Sequence, residues 1–288
     1  MGTAARSTFF NSIYIIECLG DVDTEKTGRD LFKYLGPLCR AAQVNISFAA
    51  AHSASEVADI LREIAHDCRT HARGPIVHLE THGSASGFGP SAADQVPWKT
   101  LVGPLQELNR LSQMNLVVTV AACHGFSLVS TLMPGDASPV WGLLGPNEMV
   151  LPSDIKRGFQ AFYSTYLREL NLNRAIDELK RADRSWPECW TFQNAEVFFA
   201  TVFGVVLEQH LAFGKSDEFE TQALHRLRQA GVEITEEIRE RLRAVARDFR
   251  GAYESTRKTF LMLDLFPHNS SRFPLSLDEI LAIKGIVL

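Results

Sequence analysis

The stretch from Val77 to Gly87, VHLETHGSASG, reads as a buried β-strand that ends in a His82-Gly83 pair and then dissolves into Gly, Ser and Ala. A short apolar run bounded by turn residues marks a core strand, and a strand apolar on both faces belongs in a sheet covered on both sides. A second run of this kind, NLVVTVAAC (Asn115–Cys123), continues into His124-Gly125. Two strands thus deliver an imidazole and a thiol to their carboxyl ends, each followed closely by glycine. How the rest of the chain is organised decides whether the two can meet.

Working outward, strand-like and helix-like segments alternate. SIYIIECL (Ser12–Leu19) and VNISFAAA (Val44–Ala51) read as strands, and PVWGLLG (Pro139–Gly145) as a fifth. Between them, Leu31, Tyr34, Leu35 and Leu38 recur at helical spacing. Ser53 and Glu56 form a capping box ahead of Val57, Ile60, Leu61, Ile64 and Cys68. Further helices are predicted over Leu101–Leu111, along the stripe Ile155, Phe159, Phe162, Tyr166 and Leu170, and over Ala175–Ala182. This alternation predicts an α/β domain over residues 1–185, a mainly parallel sheet sandwiched by helices. Residues 186–288 read as a mostly helical C-terminal region. Its segments are a helix in NAEVFFATVFGVVLEQHL, one stripe through Ile238, Leu242, Val245, Phe249 and Tyr253, and a Ser276/Glu279 capping box with Gly285 as the stop.

Bulk properties exclude several function classes. Of the 288 residues, 29 are Lys or Arg and 34 are Asp or Glu, a net charge of −5. A nucleic-acid binder ordinarily carries a basic footprint, so that partner is not expected. No apolar run reaches the ~18 residues that a membrane span needs, and MGTAARSTFF reads as a poor signal peptide. Five cysteines (Cys18, Cys39, Cys68, Cys123, Cys189), odd in number and without CxxC spacing, point to free thiols in a reducing cytoplasm. His78, His82, Cys123 and His124 are ligand types that suit zinc. Without CxxC or HExxH spacing they predict no metal, and no cofactor is expected. The run GSASG (Gly83–Gly87) has Ala85 at its centre, so it fails as a serine nucleophile elbow.

In an open parallel sheet, ligands bind beyond the carboxyl ends of the strands. If the third and fourth strands are neighbours, His82 and Cys123 share one rim. A thiol attacks a carbonyl as thiolate, and a nearby imidazole assists that ionisation and later protonates the leaving amine. The residues therefore predict nucleophilic chemistry, with Gly83 leaving room for a close backbone approach.

The pairing of VHLETHGS with VVTVAACHGF resembles the caspase-like cysteine peptidases, especially their bacterial CHAT-type branch. VWGLLGPNEMVLPSDIKRGFQAFYSTYL followed by NRAIDELKRA is similar to the segment after the nucleophile in that branch. The resemblance spans roughly residues 12–185 and implies a caspase-like fold and cysteine endopeptidase activity on a protein substrate. It implies His82 as general base and acid, Cys123 as nucleophile, and the backbone N–H groups of Gly83 and Cys123 as oxyanion donors. It also implies regulation by a partner protein, including in anti-phage defence.

The chain departs from the related metacaspases two positions before the nucleophile, where they carry an acid and this sequence has Ala121. Asp21 and Asp23, after the first strand, could supply an acidic pocket instead, or simply cap a turn. Without an acid there, a small or apolar side chain before the cut is equally compatible. Glu80 lies two residues before His82 on the same side of the strand, about 6.6 Å along it. It either orients the imidazole, lines the pocket or pairs with another buried side chain. His78 on that face reads as structural, and His124 as a substrate contact. The rival to a peptidase is a non-enzymatic interaction module on the same fold.

Overall fold

The structure, a computed structural model, describes residues 10–71, 74–133, 135–213, 217–229 and 234–284. Gly285, the expected helix stop, lies outside them. The described residues fall into two compact units, one comprising 10–132 and 139–194, the other 133–138 and the residues from Ala195 onward.

The first unit is the α/β sandwich expected from the alternating pattern. Its strands are β1 (Ser12–Cys18), β2 (Asn45–Ala50), β3 (Pro75–Gly83), β4 (Gly87–Gly89), β5 (Val96–Pro97), β6 (Val117–Ala121), β7 (Gly142–Pro146) and β8 (Trp190–Asn194). Its helices are α1 (Thr27–Ala41), α2 (Ala54–His71), α3 (Val102–Leu111), α4 (Pro152–Glu169) and α5 (Leu172–Ala182). The main sheet has the order β2-β1-β3-β6-β7-β8. The first five strands of that order are parallel, and β8 closes the edge antiparallel to β7.

Alternation along each strand sends neighbouring side chains to opposite faces. The Tyr14 hydroxyl donates to Asp67 on α2, whereas the ring of His78 packs edge-on against Phe159 of α4, 4.5 Å between centroids. Helices therefore cover both faces, α2 packing on α3, and α1 on α4, which packs in turn on α5. With apolar cover on each side, β1, β6 and β7 are buried along their whole lengths. This is why they read as unbroken apolar runs.

The sequence reading did not include β8. Trp190-Thr-Phe-Gln-Asn194 is short, and three of its five residues are polar. The Asp183 carboxylate fixes its approach, accepting from the N–H groups of Ser185 (2.8 Å) and Trp186 (2.9 Å) and from Trp190 Nε1 (2.7 Å). The sheet unit consequently runs to Asn194, nine residues past the change of character seen in sequence.

The second unit holds helices α6 (Ala195–Phe213), α7 (Asp217–Gln229), α8 (Glu236–Arg247), α9 (Phe249–Phe260), α10 (Asn269–Arg272) and α11 (Leu277–Lys284). Phe199, Phe203, Tyr253 and Phe260 pack together in its core. The stripe expected to form one helix from Ile238 to Tyr253 is two helices. Asp248 leaves helical geometry (φ −142°, ψ 87°), and its carboxylate accepts the Gly251 N–H at 2.9 Å as the cap of α9. The Ser276/Glu279 capping box forms as expected, with reciprocal bonds of 2.7 and 3.2 Å.

Candidate functional site

The chain order reverses direction at β1, with β2 on one side and β3 on the other. In doubly wound sheets that reversal opens a crevice at the carboxyl ends of the strands. Three segments meet there: the loop after β1, the tip of β3, and the turn after β6.

β3 and β6 pair in parallel with a constant offset of 41 residues, from Ile76↔Val117 to Glu80↔Ala121. His82 and Cys123 share that offset two residues beyond the last pair. The next residue, Gly83, comes so close that a Cβ there would overlap the carbonyl oxygen of Cys123, with Ala122 Cβ at 3.1 Å and the Trp98 ring at 3.3 Å. Glycine at 83 is thus required by the backbone of Cys123. The turn beyond it is anchored: Trp98 Nε1 donates to Ser84 O at 2.9 Å, and Phe88 stacks on Trp98. The Ser84 N–H donates to Gly87 O at 2.8 Å and closes the β3–β4 hairpin. Antiparallel alternation then turns the His82 peptide towards its partner Gly89 and the Gly83 N–H away from β4.

After β6 the backbone turns sharply. His124 adopts the left-handed conformation (φ 54°), sparsely populated for a residue with a side chain. A Cβ on Gly125 would stand 2.7 Å from Val120, so the turn also requires glycine. The 147–151 segment braces it. The His124 N–H donates to Glu148 O (3.0 Å), His124 Nδ1–H to Asn147 O (2.8 Å), and Cys123 Sγ lies 3.8 Å from Val150 O. The structure thus gives His124, read in sequence as a substrate contact, a structural partner in Asn147. Cys123 is partly exposed, whereas Cys18, Cys39, Cys68 and Cys189 are all buried. Burial pushes the thiols of Cys18, Cys39 and Cys189 up to about 11.

Asp23 lies against His82. Its two carboxylate oxygens stand 3.1 and 3.2 Å from His82 Nε2. Asp21 is exposed, and Ala121 is buried in the strand.

Glu80 does not reach His82. It belongs to a buried polar cluster beneath the rim, accepting from the Thr27 hydroxyl and lying 3.2 Å from His78 Nε2. Its other neighbour is Glu17, also buried, whose carboxylate accepts the Arg29 N–H at the start of α1. Burial, reinforced by the charge of Glu17, holds the Glu80 carboxyl well above the usual carboxylate range. Burial likewise pushes His78 down to about 3. Burial thus disfavours the charged form of both partners of this 3.2 Å contact, and the other ring nitrogen, Nδ1, lies 2.8 Å from Thr119 Oγ1. Tyr163 closes the chain at 3.0 Å from Thr119. His78 is structural, as its place on the strand implied.

Exposed apolar side chains stand on two of the segments around the site. Val22 (87% exposed) sits beside Asp23, while Met149 (73%) and Leu151 (56%) flank Val150, whose carbonyl faces the Cys123 thiol.

No family model matches the sequence, nor does any curated protein. Among solved structures, the chain is similar to a secreted C11 cysteine protease from Bacteroides thetaiotaomicron. The identity is 10% and the TM-score 0.48, over 69% of this chain and 70% of the other. Among the described residues, no helix is long and apolar enough to cross a membrane.

Proposed function

We propose that this protein is a cysteine endopeptidase in which Cys123 is the nucleophile and His82 the general base and acid. The observation that carries this reading is positional: the one partly exposed thiol of five follows β6 in the same register as the histidine that ends β3. His82 takes the thiol proton, and the thiolate forms a C–S bond with the scissile carbonyl carbon. The carbonyl π electrons move to oxygen, whose charge the Gly83 and Cys123 N–H groups stabilise. On collapse the C–N bond breaks, and the imidazolium gives its proton to the departing amine. Water, deprotonated by His82, then releases the acyl group and restores the thiol.

The exposed side chains of Val22, Met149 and Leu151 support substrates with an apolar residue beside the cut. Asp21 is left as the one residue of the expected acidic pocket that is not engaged with His82. The sequence resemblance to the CHAT-type branch supports regulated proteolysis in the bacterial cytoplasm, with a partner protein and a defence role.

The test is a peptide chloromethyl ketone with mass-spectrometric mapping, beside a peptide-library digest. Alkylation confined to Cys123, with matching cleavage, supports the peptidase. Indifferent labelling with no cleavage would support an interaction module instead.

A further inference from the structure

We propose that Asp23 is the positioning residue of the His82 imidazole, holding Nε2–H so that the opposite nitrogen, Nδ1, receives the Cys123 proton. The inference rests on the peptidase reading and adds a third member to its machinery. A carboxylate can only accept, so the nitrogen facing it carries the hydrogen, and the neutral ring is held as a single tautomer. Both Asp23 oxygens lie within 0.1 Å of the same distance from Nε2, at 3.1 and 3.2 Å, so the grip survives small rotations of the carboxylate.

The loop that carries Asp23 is fixed at several points. The Asp23 N–H donates to Gly20 O (3.1 Å), closing a turn, and the Gly20 N–H donates to Pro90 O (2.8 Å), just beyond β4. Lys26 Nζ ties down the same Gly20 carbonyl at 2.6 Å. The acid and the histidine are thus joined through a shared support, the β3–β4 hairpin.

Stability gives little reason for the pair. With the side chains 23% and 39% exposed, an ion pair of this kind contributes little to folding. Orientation is what it supplies: a carboxylate behind the imidazole steadies the ring and the imidazolium formed when the thiol ionises, as the aspartate does in serine-protease triads. An Asp23 so engaged does not serve as the anchor for a Lys or Arg before the cut.

The test compares wild type with Asp23→Asn, Asp23→Ala and Asp23→Glu. Three readouts are used: ¹⁵N shifts of neutral His82, the rate at which iodoacetamide alkylates Cys123, and kcat and KM on one apolar and one basic peptide. The expected result is a single Nε2–H tautomer in wild type and averaged shifts in Asp23→Ala. Cys123 alkylation should slow about tenfold, kcat should fall by roughly 10²-fold on both peptides with KM held, and Asp23→Glu should partly recover. A tautomer and alkylation rate that do not change between wild type and Asp23→Ala would overturn the proposal. So would a loss confined to the basic peptide, which would return Asp23 to the substrate pocket. If the tautomer and alkylation respond as expected while no peptide is cleaved by any form, the Asp23–His82 arrangement stands and the peptidase reading falls.

Discussion

The α-carbon of Gly83 lies so close to the carbonyl oxygen of Cys123 that a methyl group added there would overlap it. The obstacle is backbone at one contact and the Ala122 methyl and Trp98 ring at the others, so little can yield. Gly83→Ala should therefore push the two strand tips apart, at about 1–3 kcal/mol, the usual range for overpacking. Peptidase turnover should fall far more than stability does. Thermal melts and kcat/KM on the same preparation check this, and a fully active variant would mean that the tips are not held at this spacing.

Cys123→Ala should abolish turnover with the fold retained, because a partly exposed thiol at a strand tip contributes little packing. His82→Ala should lower kcat by about 10²–10⁴-fold, the span for losing a general acid-base group. Circular dichroism confirms folding in both. Residual wild-type turnover in the cysteine variant would remove it as nucleophile.

Iodoacetamide should inactivate the folded protein by modifying Cys123 alone. The other four thiols are buried, and burial raises three of them to about 11, leaving little thiolate at neutral pH. Under denaturing conditions all five should react. Peptide mapping before and after unfolding distinguishes the two patterns.

The cluster beneath the rim predicts a pH window. In the folded state Glu80 is held above its unfolded value of about 4.3. Its contribution is complete below that value and is lost as pH rises through the folded value. His78 acts in the opposite direction. With the folded imidazole pushed down to about 3, its contribution is present above the unfolded value of about 6.5 and is lost as pH falls towards 3. Glu80→Gln removes the carboxyl's loss and keeps the shape. Tm of the variant should fall less than that of wild type as pH rises above the unfolded value of that carboxyl, and equal slopes would show that Glu80 does not titrate in the folded protein.

At the two exposed apolar positions that flank Val150, Met149→Glu and Leu151→Glu should each lower kcat/KM about tenfold for peptides with a large apolar residue beside the cut. Burying a Met or Leu side chain contributes about 1.5–3 kcal/mol when complete, and a rim contact realises part of that. Peptides with glycine at that position should change little. An equal loss on both peptide sets would assign the effect to the brace on Cys123.

The two segments whose ends carry the site were legible because burial on both faces makes β3 and β6 read as largely apolar runs, even with His78, Glu80, Thr81 and Thr119 buried inside them. The capping boxes at Ser53 and Ser276 were legible for a similar reason, since both partners lie within one turn. β8 was not, because its strand character comes from pairing with β7 and from Asp183 catching Trp190, neither of which leaves a local pattern. The break at Asp248 hid in the same way: the apolar spacing runs on through it, and a capping aspartate resembles a solvated one.

The sequence by itself determined that an imidazole and a thiol stand at the carboxyl ends of two core strands, since strand periodicity and the glycines that follow are local properties. Tertiary structure alone decided which acid belongs to which histidine. Glu80, two residues from His82, lies below it and pairs with buried His78, because alternate residues share a face but sit at different depths. Asp23, 59 residues away, reaches the imidazole because the loop after β1 and the β3–β4 hairpin are bonded together at the sheet's reversal point. Contacts between distant segments depend on strand order and register, which no window of sequence contains.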